Sequence, residues 1–297
     1  MFKNIVPDLV SLETEIPKIR GFYFGASSDI YEKIHSKNIF HYKVCISNNI
    51  TIPDDYDFRN GHFYKKGTIW YYKRKIGFIT LKFSYDQKNK IFLYNSIYSF
   101  IPFEIGHIFP PGRHLADLIT FDLFLKGYVL IRGSAARYQD KNLAFIAPSY
   151  NGKTSLIKEI IDKGGKYIAE EFYIFNIKSH NIFSTPCLIS DERLINRRLK
   201  QKLFLHNTIK GISRVDKFIL YLNRSTNKEQ YKKIDFFDFI ILRSLFFFKS
   251  DFVKSYMFTE RAAKKIFENI NNIKKLNLNY KIIYINNYQF DDLLNDK

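Results

Sequence analysis

One nine-residue stretch leaves this chain little freedom of architecture: Ala147-Pro-Ser-Tyr-Asn-Gly-Lys-Thr-Ser155. It follows a short apolar run, Leu143-Ala-Phe-Ile146, and opens a helix-patterned segment, Thr154-Ser-Leu-Ile-Lys-Glu-Ile-Ile-Asp162. Strand, small-residue loop, then helix is the setting a phosphate-binding loop requires. Backbone N–H groups of such a loop turn inward on phosphate oxygens, and the helix N-terminus adds partial positive charge. In that setting Ser149, Tyr150, Asn151, Gly152, Lys153, Thr154 and Ser155 cradle a triphosphate. Lys153 reaches the β- and γ-phosphates, and the Thr154 hydroxyl sits on Mg²⁺. The first glycine of G-x-x-x-x-G-K-[ST] is Ala147 here. Alanine tolerates positive φ poorly, which predicts a slightly remodelled loop. The competing explanation is a chance Gly-Lys-Thr after a strand, since such tripeptides are common.

The next segment strengthens the phosphate-loop reading. Gly164-Gly165 ends the helix, as glycine does at a C′ position. Lys166-Tyr-Ile-Ala-Glu170-Glu171 then reads as a strand running into two adjacent carboxylates, with Phe172-Tyr-Ile-Phe175 continuing it. In a parallel sheet this strand can lie beside the loop's strand, and ligands bind at the carboxyl ends of such strands. A carboxylate there can hold Mg²⁺ or take a proton from an attacking hydroxyl.

With these residues in place, the sequence resembles the HPr kinase/phosphorylase-type P-loop domain, and is also similar to ATP-dependent phosphoenolpyruvate carboxykinase. Members carry the loop, a helix, a glycine, and a strand running into Asp-Asp. Lys153 and Glu170 stand at the family's spacing, with Glu170-Glu171 in place of the Asp pair. Many members also have a histidine before a hairpin that leads into the loop. Val129-Leu-Ile-Arg132-Gly-Ser-Ala-Ala136 matches that place, with Arg132 where histidine is expected. The resemblance covers roughly residues 106–297 and is strongest over 129–176. It implies ATP- and Mg²⁺-dependent phosphorylation of a hydroxyl on a peptide, protein or small molecule. Lys153 would neutralise charge on the transferring group, and Glu170 would act as general base. Glu171 would join Thr154 on the metal, with the two glutamate roles exchangeable. Arg132 would contact the substrate or the γ-phosphate. No segment matches the part of the family that recognises the HPr carrier protein, so HPr is not the expected substrate. The carboxykinase reaction is disfavoured, because that enzyme is longer and needs further substrate-binding motifs.

Ala147, the Glu pair and Arg132 depart from the family pattern and carry a second reading, a nucleotide-binding regulatory module that senses ATP without transfer. A third comes from charge. The chain carries a net charge of +18, which points to an anionic partner such as nucleotide, nucleic acid, acidic peptide or membrane surface. The lysines are spread along the chain rather than gathered in one arm, so a lysine-rich solvated surface is the plainer explanation. Cys45 and Cys187 form no C-x-x-C pair, so no metal or redox motif is present and a reducing cytoplasm fits. The N-terminus shows no apolar signal segment. The most apolar stretch, 236–248, is broken by Asp238 and Arg243, and no membrane association is expected.

Upstream, residues 1–20 read as a short helix or extended arm. Short β segments follow at 21–25 and 41–46. The runs 62–64, 68–72, 78–83 and 90–94, punctuated by turn residues, read as an antiparallel meander. Its interleaved Trp70, Tyr71, Tyr72 and Lys73 can stack on single-stranded bases. An antiparallel sheet with one buried face accounts for the same pattern. A helix is expected over 114–125, with Leu115, Leu118, Ile119 and Phe121 or Asp122 near helical spacing, so that one face is largely apolar. Residues 128–137 read as one strand, 139–142 as a hairpin turn, and 178–181 as another. Later strands are expected at 182–185, 215–222 and 280–285, and helices at 232–248 and 259–273. Glu192, Arg193 and Arg197 offer a spare acid and phosphate-binding arginines, although a solvated segment explains them equally. His107 and His114 have no ligand cluster around them.

The sequence therefore predicts an α/β protein. A P-loop, HPr-kinase-like C-terminal domain with a mixed sheet spans 106–297, preceded by a β-rich N-terminal lobe over 1–105.

Overall fold

The computed structural model describes residues 2–15, 39–95, 111–147, 152–169, 172–184, 212–222, 237–238, 240, 260–284 and 290–294. The chain is mixed α/β, with three sheets and few helices among these residues. The expected boundary at 105/106 lies outside them, as do the 21–25 segment, His107, Cys187, Glu192, Arg193, Arg197 and most of 232–248.

The first sheet has eight strands: β1 (Phe2–Val6), β2 (Val10–Thr14), β3 (Phe40–Ile46), β4 (Phe58–Asn60), β5 (Phe63–Lys66), β6 (Ile69–Ile76), β7 (Ile79–Asp86) and β8 (Ile91–Tyr94). Their order is β1-β2-β3-β8-β7-β6-β5-β4. The expected meander is present as the antiparallel series β4 to β8. The extreme N-terminus corrects the helix-or-arm expectation: it is a β1–β2 hairpin, turning through Asp8 at φ 61. β3 joins β2 and β8 in parallel, so the sheet is mixed. Alternation sets the faces. Trp70, Tyr72, Phe83 and Phe92 are buried, while Tyr71 is half-buried and Lys73 exposed. Two of the four aromatic or basic residues that suggested base stacking, Trp70 and Tyr72, are therefore core.

Helix α1 (Pro111–Leu125) packs against this sheet's buried face. Proline opens it, where its missing N–H costs nothing, and Gly127 at φ 84 follows its end. The expected apolar face is buried, and burial extends beyond it: Leu115, Ala116, Leu118, Ile119, Phe121, Leu123 and Phe124 are all buried, as are Asp117, Thr120 and Asp122. A helix covered all round is an internal element. Asp122 survives there because three donors meet its Oδ2: Tyr42 Oη at 2.6 Å, Lys90 Nζ at 2.6 Å and Lys126 Nζ at 2.8 Å. Burial alone would raise its pKa. The Lys90 charge, with hydrogen bonds from Lys126, Lys90 and Tyr42, outweighs burial and holds the carboxyl below its ordinary value.

The remaining strands form two sheets. The second, five-stranded sheet runs β12-β10-β11-β16-β17: β12 (Lys166–Ala169), β10 (Gly133–Tyr138), β11 (Lys141–Ile146), β16 (Lys217–Leu222) and β17 (Tyr280–Tyr284). The third has four strands, β15-β14-β13-β9: β15 (Ile212–Arg214), β14 (Asn181–Ser184), β13 (Tyr173–Asn176) and β9 (Tyr128–Ile131). Helix α2 (Lys153–Asp162) covers the outer face of the second sheet through Leu156, Ile157 and Ile160. Helix α3 (Glu260–Lys274) packs on α1, where Asn269 Nδ2 donates to Phe124 O at 2.5 Å. The third sheet lies against the inner face of the second, with Phe175 and Phe218 edge-to-face at 5.3 Å. No helix among the described residues is long and apolar enough to cross a membrane.

Two expected strands are each divided between sheets. Residues 128–137 break at Arg132 into β9 and β10, and 166–175 break into β12 and β13. The breaks are side by side, because Ile131 pairs with Tyr173 on one side and Ala135 with Ala169 on the other. One antiparallel ladder thus turns a corner from the third sheet into the second, as strands that switch sheets do. A register shift between Ala135 and Ala136 against β12 accompanies the corner. Gly133 is required there. A Cβ at that position would lie 2.3 Å from Phe145 O and 2.8 Å from Tyr173 Cε1.

Candidate functional site

The strand leading into the loop, β11, is central in its sheet and continuous with a tight hairpin. Gln139 and Asp140 both have positive φ (45 and 62), the signature of a two-residue primed turn, and Tyr138 pairs with Lys141. From that turn β11 runs through Leu143, Ala144, Phe145 and Ile146, all fully buried. Ala147 follows, also buried, and it is not among the residues with positive φ. The remodelling expected from alanine in place of glycine is therefore not needed at Ala147.

On the far side of the loop, Gly152 takes the left-handed conformation, φ 71 and ψ 17, and caps α2. Only glycine adopts this region at little cost. Gly152 O accepts from Leu156 N at 3.0 Å, which starts the helical ladder. No side chain caps the helix and no acid stands in its first turn. The positive end of the helix is therefore left uncompensated by its own residues. Lys153, the first helical residue, turns back toward the end of β11, and its Nζ donates to Ala147 O at 3.1 Å. The ammonium thus bridges the start and end of the predicted cradle. Thr154 is half-buried and Ser155 exposed. Helix α2 ends as expected: Gly164 has φ 85, and Gly165 N donates to Ile160 O at 2.8 Å.

The carboxylate strand is placed differently from the expectation. β12 does not neighbour β11; β10 lies between them, antiparallel to both. β12 still runs in the same direction as β11, so both carboxyl ends face the same way. Ala169 pairs with Ala135, which pairs with Ala144, so the two ends stand about 9.6 Å apart, two strand spacings. Arg132 is half-buried, directly before Gly133, which pairs with Ile146 at the end of the loop strand. Arg132, Ala147, Lys153 and the end of β12 therefore converge on one end of the second sheet. Ser149, Tyr150, Asn151, Glu170 and Glu171 lie outside the described residues.

Sequence reasoning passed over Ser134. It is 0% exposed, and its Oγ has no hydrogen-bond partner. The signal was the run Gly133-Ser-Ala-Ala136, whose small residues contrast with the large ones in neighbouring strands. Among the described residues no group of three or more His, Cys, Asp or Glu could hold a metal ion. His114, considered and set aside from sequence, packs its ring on Tyr72 and Phe83 at 5.4 and 5.6 Å.

No family model matches the chain, and no curated protein matches it. Among solved structures it is similar in part to the HPr(Ser) kinase/phosphatase from Coxiella burnetii. That match has 14% identity and a TM-score of 0.24, and it covers 33% of this chain and 68% of that one. A likeness with that score carries no weight, and the site stands on its own residues.

Proposed function

We propose that this end of the second sheet binds the phosphates of ATP and that the protein transfers a phosphoryl group to a substrate hydroxyl. One observation carries the reading: the left-handed Gly152 and the Lys153–Ala147 hydrogen bond close a loop between a buried strand and an uncapped helix. The donors present suit the ligand. An ammonium, a helix N-terminus free of acids and a buried hydroxyl without an acceptor all favour an anion. Bound with Mg²⁺, ATP would supply the phosphoryl group. Lys153 neutralises phosphate charge, and the Thr154 hydroxyl with Glu171 would hold the metal ion. Arg132, at the adjoining strand end, contributes a second cation toward the substrate or the γ-phosphate. Glu170 takes the proton of the attacking hydroxyl. The corner between the sheets supports Arg132 and the glutamates acting together, since the residues flanking them are paired. We further propose that the β-rich lobe, 1–105, and the nucleotide domain, 106–297, are the two functional parts of the chain.

The test is calorimetric titration with ATP, with and without Mg²⁺, for wild type and Lys153→Ala. Binding by wild type and loss in a folded mutant is the expected result. Unchanged affinity in Lys153→Ala would sink the reading. ATP bound without transfer across a broad hydroxyl-substrate panel would favour the regulatory-module alternative.

A further inference from the structure

We infer that Ser134 is a buried donor of the anion site, giving its hydroxyl hydrogen bond to an oxygen that arrives with the bound nucleotide. The inference rests on the nucleotide reading above and adds a residue to it.

The position of Ser134 follows from register. It pairs with Phe145, and directly opposed residues of an antiparallel pair point to the same face. Phe145, Ala136, Leu143 and Ala147 pack with Leu156, Ile157 and Ile160 of α2. Ala135, Ala144 and Ile146 pack on the opposite face. Ser134 therefore lies on the α2 side, one side-chain row from Ala147, where the loop begins. A buried hydroxyl left without a partner is costly, and such groups call for an explanation. Ala147 O, an acceptor at this end, already takes Lys153 Nζ, and the first turn of α2 offers donors. Ser134 Oγ has no partner of either kind, and an anionic ligand supplies an acceptor.

Three orphaned hydroxyls of the third sheet do not share this placement. Tyr173 Oη, Ser184 Oγ and Ser213 Oγ also have no partner. Tyr173 pairs with Ser184, and Ser213 with Ile182, so all three stand on one face of the third sheet. That face meets the inner side of the second sheet, as the Tyr173 ring against Gly133 and Phe175 against Phe218 show. They are separated from α2 by the sheet itself, which makes Tyr173 a control for Ser134.

The experiment measures Mg·ATP affinity by calorimetry and ligand-free stability by thermal denaturation, for wild type, Lys153→Ala, Ser134→Ala and Tyr173→Phe. Ser134→Ala is expected to weaken ATP binding roughly tenfold, as loss of a hydrogen bond to a charged oxygen does. Its ligand-free melting temperature is expected to hold or rise, because an unsatisfied hydroxyl has been removed. Tyr173→Phe is expected to leave ATP affinity unchanged. Unchanged affinity in Ser134→Ala, with Lys153→Ala still abolishing binding, would overturn this inference and leave the nucleotide reading standing. A destabilised ligand-free Ser134→Ala would overturn it by revealing a protein partner. Equal affinity losses in Ser134→Ala and Tyr173→Phe would overturn it by assigning the effect to sheet packing. A folded wild type that binds no nucleotide would overturn both.

Discussion

The two ends of the five-stranded sheet treat buried polar groups in opposite ways. At the end away from the loop, Asn142 uses every hydrogen-bonding group it has. Its N–H donates to Asp216 Oδ2 at 2.7 Å, and its carbonyl accepts from Asp216 N at 2.9 Å. Its side chain donates to Arg214 O at 2.8 Å and accepts from Arg137 Nε at 2.9 Å. This network ties the start of β11 to the start of β16. At the loop end, the same strands finish beside an uncapped helix, a lysine on a backbone carbonyl and a serine with no partner. A saturated polar network fixes geometry, whereas an unsaturated one keeps capacity for a ligand. On the proposed reading, the contrast separates an end that serves stability from an end that serves binding.

Asp122 belongs with the saturated class, and it gives the largest expected effect on folding. Asp122→Ala strands Lys90 and Lys126 and removes the Tyr42 partner. The expected cost is about 3 kcal/mol, at the low end for a broken buried pair because Lys126 can turn to water. Urea denaturation measures it. The same carboxyl sets an acid limit. Its folded-state pKa is held down, so its stabilisation is complete above the ordinary carboxylate value of about 3.9 and is lost as pH falls through the lower folded value. Wild-type stability should fall there, and Asp122→Asn should flatten that part of the profile. A cost near zero would mean that the junction of α1 with the first sheet does not depend on this network.

Asn142→Ala comes next. It removes two hydrogen bonds, to Arg214 O and from Arg137 Nε, at about 2 kcal/mol for partly buried groups. ATP affinity should not change, because the damage is at the other end of the strand. A loss of affinity as large as the loss of stability would break the division between the two ends. The smallest effect belongs to Tyr173→Phe. Burial raises the pKa of its phenol, and its oxygen has no partner. Removing that oxygen should leave stability unchanged or raise it by up to about 1 kcal/mol. A clear destabilisation would show that the phenol has a partner and that the face between the second and third sheets is saturated as well.

The elements that punctuate themselves were legible in the sequence. Gly152-Lys153-Thr154 after a buried run, Gly164-Gly165 after an amphipathic helix, and the short strands of the meander each carry local turn or capping chemistry that tertiary contacts do not override. The division of 128–137 and 166–175 between two sheets was not legible. Strands buried on both faces show no alternation, so nothing in Val129-Leu-Ile or Tyr173-Ile-Phe says which sheet they join. Burial all round helix α1 was not legible for a related reason. What makes Asp122 tolerable there is Tyr42 and Lys90, far away in sequence, placed beside it. Ser134 carried a faint signal, a polar residue in a run of small ones, but its missing partner is a fact of three dimensions.

Hydrogen–deuterium exchange with and without Mg·ATP tests the central claim most directly, because it reads both ends of the five-stranded sheet and the first sheet in one experiment. Protection is expected in peptides spanning 132–136 and 143–160, with none at 139–142 or around Tyr42 and Asp122. Unchanged exchange over 143–160, or protection confined to the meander of the first sheet, would contradict the account.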